Sequence, residues 1–133
     1  MIDYRHSLDG ITNEELHGFF AGWPQPPSVF KFREILKKSF AFIVAYDTKT
    51  KNVIGFVTAI SDGIFAAFIP LLEVKTEYQR KGIGRELVRR MESRLSGNYS
   101  IDIVCNRELE SFYADLGYTS LSGQAKRFPK SLR

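Results

Sequence analysis

The hydrophobic pattern of this chain switches between a period of two and a period near 3.6 residues, and turn residues mark each switch. Ile2-Asp3-Tyr4-Arg5-His6 alternates apolar and polar positions, as an edge strand does. Thr12-Asn13-Glu14-Glu15 offers a cap with acids in the following turn, and Leu16, Phe19 and Phe20 supply an apolar stripe, which predicts a first helix from Asn13 to Phe20. Pro24, Pro26 and Pro27 break it, because each removes a backbone donor and fixes φ. Ser28 then caps a second helix carrying Phe30, Ile35 and Leu36 and ending before Ser39.

Three strands are predicted next, Phe40 to Tyr46, Val53 to Ser61 and Ile64 to Val74, joined by a polar loop at 47–52 and the tight turn Asp62-Gly63. Much of this antiparallel meander is apolar on both faces, so it needs a layer on each side. A helix following Gly84 and ending at Leu95 provides one, since Ile83, Leu87, Val88, Met91 and Leu95 share a face. Ile101, Ile103 and Cys105 alternate in a fifth strand, which the helical crossover makes parallel to the strand ending at Val74. A helix from Glu108 to Leu116 stops at Gly117, and Tyr118 to Leu121 starts a last strand. The basic tail 126–133 has no predicted element. The fold class is α/β in the α+β sense, a mixed and mostly antiparallel central sheet with helices on both faces.

The turn between the third strand and the next helix carries chemistry. In Gln79-Arg80-Lys81-Gly82-Ile83-Gly84-Arg85 two glycines let backbone amides come close to an anion, the first turn of a helix adds free N–H groups, and three cations stand at the rim. A phosphate cradle and an ordinary turn both fit this pattern. The segment resembles the Q/R-x-x-G-x-G/A signature of the GNAT superfamily of acyl-CoA-dependent N-acetyltransferases. Leu71-Leu72-Glu73-Val74 is similar to the strand that precedes it in that family, and Asn106 with Phe112-Tyr113-x-x-x-Gly117-Tyr118 is similar to its C-terminal signature. Together these span roughly residues 54–118.

The resemblance implies acetyl-CoA as donor and a primary amine as acceptor, with direct attack in a ternary complex. The loop Gln79, Arg80, Lys81, Gly82, Ile83, Gly84 and Arg85 would hold the pyrophosphate, the main chain of Leu72 and Val74 would pair with the pantetheine arm, and Asn106 would bond coenzyme A or cap a helix. Tyr113 matches the family tyrosine that assists the leaving thiolate, with core packing as the alternative. Glu73 points away from the face of Leu72 and Val74. An alkylammonium of pKa about 10.4 is neutral in roughly 1 molecule in 2,500 at pH 7, a handicap of about 4.6 kcal/mol, so a base is needed. Glu73 is the candidate, against a structural or substrate-positioning role. The acceptor pocket is expected near Phe19, Phe20, Trp23 and Phe30. A small-molecule amine is preferred to a protein lysine or N-terminus, and a non-catalytic acyl-CoA-binding module remains an alternative.

Composition narrows this picture only a little. The 133 residues, 44% hydrophobic and 26% charged, suit one globular domain over 1–133, with no secretory or membrane-spanning run, and a cytoplasmic location is expected. The net charge of +4 suits a phosphate-bearing partner, although no nucleic-acid-binding signature accompanies it. The single cysteine, Cys105, excludes an internal disulfide and reads as a packing residue, and His6 and His17 lack metal spacing, so no metal is expected. The chain is short for the family, which leaves room for an acceptor site completed in a homodimer.

Overall fold

The computed structural model describes residues 1–132. Its elements run β1 (Ile2–Arg5), α1 (Asn13–Leu16), α2 (Val29–Lys38), β2 (Ala41–Asp47), β3 (Asn52–Ser61), β4 (Ala66–Val74), α3 (Ile83–Arg94), β5 (Ser100–Ile103) and α4 (Glu110–Asp115). The strands form one sheet in the order β1-β2-β3-β4-β5, with every neighbouring pair antiparallel except β4 and β5, which are parallel.

Alternation in the central strands decides the layering. In β2, Ala41, Ile43 and Ala45 face one side and Val44 and Tyr46 the other, and all five are buried. The first set packs with Val57, Ala59 and the stripe Ile83, Leu87, Met91 and Leu95 of α3. The second packs with Phe56, Phe32 and Leu36 of α2, and Leu16 of α1. A strand apolar on both faces must be covered twice, and the chain meets that demand with α3 below and α1 with α2 above.

Gly55 keeps the α3 layer close. A Cβ there would stand 3.3 Å from the Glu73 carbonyl oxygen, 3.3 Å from Leu87 Cδ1 and 3.4 Å from Val74 Cγ2. One glycine thus sets the spacing of helix and sheet beneath the C-terminal half of β4.

Two expectations are corrected. The first helix ends at Leu16 rather than Phe20, because Gly18 and Phe20 take φ of 95° and 66° and a distant side chain holds the Phe20 amide. The last strand, 118–121, does not form. Gly117 at φ 94° closes α4 with bonds from its own N–H to Ala114 O and from Tyr118 N–H to Tyr113 O. The Tyr118 hydroxyl then donates to Glu92 on α3 at 2.7 Å, which draws the chain away from the β5 edge. Smaller shifts have local causes: Asp62 Oδ1 accepts from the N–H of Ile64 and of Phe65, so β4 starts at Ala66, and a 3-10 turn, Arg107–Leu109, precedes α4. The tail carries a 3-10 turn at Pro129–Leu132, and Arg133 lies outside the described residues.

Overpacking at Gly55 is the test of the α3 spacing. Gly55→Ala is expected to lower stability by about 1–3 kcal/mol, read as an earlier midpoint in urea unfolding with an unchanged slope.

Candidate active site

The site begins where β4 loses a neighbour. Pairing with β5 runs from Ala66 opposite Ser100 to Ile69 opposite Ile103 and stops, while β4 continues to Val74 against β3 alone. Pro70 stands at that point, where the register with β3 also shifts. The odd-numbered residues of β4 face β5 up to Ile69 and face β3 from Leu71 on, and Pro70, which has no N–H to pair, stands at the switch.

Register then fixes which backbone groups are left open. Lys75 N–H donates to Ile54 O at 2.9 Å, so Lys75, Glu73 and Leu71 turn their amides toward β3, and Leu72 and Val74 turn theirs toward the gap. Gln79 Nε2 donates to the Val74 carbonyl at 2.8 Å. The N–H and C=O of Leu72 and the N–H of Val74 face the gap unused by the sheet.

The head of α3 closes one end of the gap. Its N-cap, Gly82, has φ 85° and supplies no side-chain cap, and Glu86 N–H is bonded to Gly82 O at 3.0 Å. The N–H groups of Ile83, Gly84 and Arg85 therefore point outward with the positive end of the helix dipole. A Cβ on Gly82 would meet nothing within 4 Å, so the glycine serves the left-handed backbone rather than close approach. At Gly84 a Cβ would lie 3.5 Å from the Phe112 ring, which places α4 against the helix head. Arg80, itself at φ 63°, and Lys81 are exposed beside the turn, and the Lys81 ammonium lies 5.6 Å from the Tyr78 ring centroid.

Tyr78, in the 3-10 turn Thr76–Tyr78, ties this turn to the rest of the sheet. Its hydroxyl donates to Asp47 Oδ2 at 2.6 Å, at the end of β2. That bond, with one from Lys49 N–H, holds the Asp47 carboxyl below its usual range and raises the tyrosine.

Glu73 lies on the other face of β4. Its Oε1 accepts from Phe20 N–H at 2.8 Å across 53 residues of sequence, bringing the loop after α1 down onto the strand. A hollow of about 750 Å³ opens there, lined by Phe20, Trp23, Pro70, Leu71, Glu73 and Glu77 among others. Of the four aromatics expected at an acceptor pocket, Phe20 and Trp23 line it, Phe19 packs edge-on against Phe32 and Phe56, and Phe30 is exposed elsewhere. Lys75 also lines this hollow. Burial pushes its ammonium down, and it rests 5.0 Å from the Phe19 ring centroid.

Tyr113 is placed differently. It is 8% exposed, packs edge-on to Phe112 and Tyr118, and lines a second hollow of about 780 Å³ along β5 together with Cys105. Burial, then the Cys105 thiol, pushes its hydroxyl up to about 12. Glu73 and Tyr113 thus do not share a hollow. Asn106 is exposed at the start of the 3-10 turn before α4, and its side chain makes no capping bond there. The sequence reading gave Pro70 and Tyr78 no role and named Phe112 only as part of the C-terminal signature. Of these, a proline inside an apolar strand was the signal that could have been read.

The comparisons with known proteins give the family and the fold. A family model described as "Acetyltransferase (GNAT) domain" matches residues 38–120, and the chain belongs to that family of acetyltransferases. A crystal structure from Deinococcus radiodurans R1, described as a candidate acetyltransferase, is 39% identical and superposes with a TM-score of 0.94 over 97% of this chain and 90% of that one. A GNAT family acetyltransferase from Streptococcus pneumoniae TIGR4 has the same fold at 21% identity, with a TM-score of 0.75 over 96% and 98% of the two chains. A curated relative, "GCN5-related N-acetyltransferase 1, chloroplastic" of Arabidopsis thaliana, is 26% identical over 87% of this chain, which spans 60% of that relative's length. Among the described residues no group of His, Cys, Asp and Glu side chains could hold a metal, and no helix is long and apolar enough to cross a membrane.

The Tyr78–Asp47 bond carries a pH signature. The Asp47 carboxyl lies lower in the fold than its free value near 3.9, so the bond stabilises the protein above that pH and its contribution is lost as pH falls through the folded value. Tyr78→Phe is expected to reduce stability at neutral pH and to flatten the acid limb of a plot of urea midpoint against pH.

Proposed function

We propose that the protein transfers the acetyl group of acetyl-CoA to a primary amine, by direct attack of the amine in a ternary complex. The observation that carries this reading is the set of unused groups at Leu72 and Val74, facing a gap whose end is the uncapped head of α3. A pantetheine arm is an amide-bearing strand surrogate, and an edge of this kind accepts it as a sheet accepts an added strand. The Ile83, Gly84 and Arg85 N–H groups, with Arg80 and Lys81, would hold the pyrophosphate. Gln79 would act through the Val74 carbonyl it already holds, and Asn106 would reach the coenzyme with an amide free of capping duty.

Acetyl-CoA supplies an acetyl group activated as a thioester. On the acceptor side, Glu73 takes a proton from the bound ammonium with the oxygen not bonded to Phe20, freeing the amine that attacks. As the new C–N bond forms and the C–S bond breaks, sulfur leaves as a thiolate, and the second proton, which nitrogen gives up in becoming an amide, passes through solvent to that thiolate. Tyr113, with its hydroxyl near 12, is about 3.5 units weaker an acid than a thiol of pKa about 8.5, so full proton transfer would be uphill by roughly 5 kcal/mol. The part left to it is to donate a hydrogen bond to the departing sulfur while staying neutral, and because it lines a different hollow from Glu73 this part requires the sulfur to lie between the two. The bond between Glu73 and Phe20 also favours a second reading, a non-catalytic acyl-CoA-binding module in which Glu73 is structural. Cytoplasm is the compartment we assign to either.

Calorimetric titration with acetyl-CoA separates these from no binding at all. Wild type is expected to bind in the micromolar range, and Gly82→Pro, whose ring forbids φ near 85°, to lose at least about tenfold, with a lowered but still cooperative melting transition. Absence of wild-type binding would overturn both coenzyme readings. Glu73→Gln is expected to lower kcat and to change the pH-rate profile. An unchanged profile would leave Glu73 a structural role.

A further inference from the structure

The two ends of the acceptor hollow differ in chemistry. At one end Glu73 presents a carboxylate with one oxygen committed to Phe20 N–H and the other available. The same bond fixes the aromatic wall, because Phe20 is the residue it holds and the Trp23 ring stands edge-on to the Phe20 ring, 5.0 Å between centroids and 76° between planes. The offset between carboxylate and wall is therefore built into the backbone.

Only one of these rings is free. Phe20 is 5% exposed and packed against Phe32 and Phe56, whereas Trp23 is 43% exposed at the mouth of the hollow. Trp23 is held there by Gly22 at φ 82°, by its own N–H to Phe20 O at 3.2 Å, and by the proline that follows it. A large aromatic kept exposed by a stiff loop is a preformed platform, and a second ring laid on it gains both burial and edge or offset stacking. Pro70 and Leu71 give the hollow an apolar side as well. Glu73 and Glu77 line it beside one cation, Lys75, which rests over Phe19, so the balance of charge favours an ammonium.

We propose that the acceptor is a primary amine that also carries an aromatic ring, and that Trp23 selects it by stacking. This rests on the acetyl-transfer reading above.

The test measures release of coenzyme A from acetyl-CoA with four probes: phenethylamine, n-butylamine, putrescine and N-acetyl-lysine amide. Wild type is expected to give phenethylamine a kcat/KM at least about tenfold above each of the others. Trp23→Ala should collapse the ratio of phenethylamine to n-butylamine to below about 3, chiefly through KM, and Trp23→Phe should restore most of it. Preference for putrescine or the lysine amide, or a ratio unmoved by Trp23→Ala, overturns the proposal while leaving acetyl transfer intact. Acetyl-CoA binding without acetylation of any probe would instead sink the transfer reading, and this proposal with it.

Discussion

A shift of register organises this molecule. Around Pro70 the pairing of β4 with β3 slips, and from that residue onward β4 and β5 part. The Leu72 and Val74 edges open, and α3, the crossover that joins two parallel strands, brings its head to the gap's end. Had β5 continued alongside β4 to Val74, the same residues would have made a closed sheet with no place for a ligand.

The gap persists because the layers around it are tightly packed. Gly55, Leu87 and Val74 are in contact below β4, with Gly84 and Phe112 at the helix head. Above it, Phe56, Phe32, Phe19 and Phe20 form a cluster of tilted and edge-on rings. Close-packed interiors do not relax to fill a gap of this size, so an open edge can coexist with a stable core. Tyr78 adds a fixed strut from the phosphate turn to the end of β2.

Much of this was legible in the sequence where the signal is local. Alternation in 40–46 and 53–61, the five-residue stripe of α3, the Ser28 cap and the Gly117 stop all describe short-range physics, and each element formed close to its expected place. The parallel pairing of the fifth strand followed from the crossover alone. What failed depended on distant partners. The residues after Leu16 have a helical stripe, yet Phe20 adopts a left-handed backbone because Glu73, 53 residues away, rewards it. Tyr118 to Leu121 have strand composition, yet Glu92 captures the tyrosine. The site was legible in its glycine turn and in which face each β4 residue takes. The separation of Glu73 and Tyr113 into different hollows was not, since no local pattern records where α4 lies against the sheet.

The sheet also acts as a partition. The glycine turn and the head of α3 lie on one side, whereas the aromatic wall hangs from a one-turn helix and a proline loop on the opposite side. The two sides belong to different cores, so mutations can reshape that wall over evolutionary time without disturbing the glycine turn. Glu73 spans the partition, bonded to the wall from a strand that borders the gap. A lineage altering the loop around Phe20 would thereby shift the Glu73 carboxylate as well, which restricts drift at this one position more than at any ring it faces.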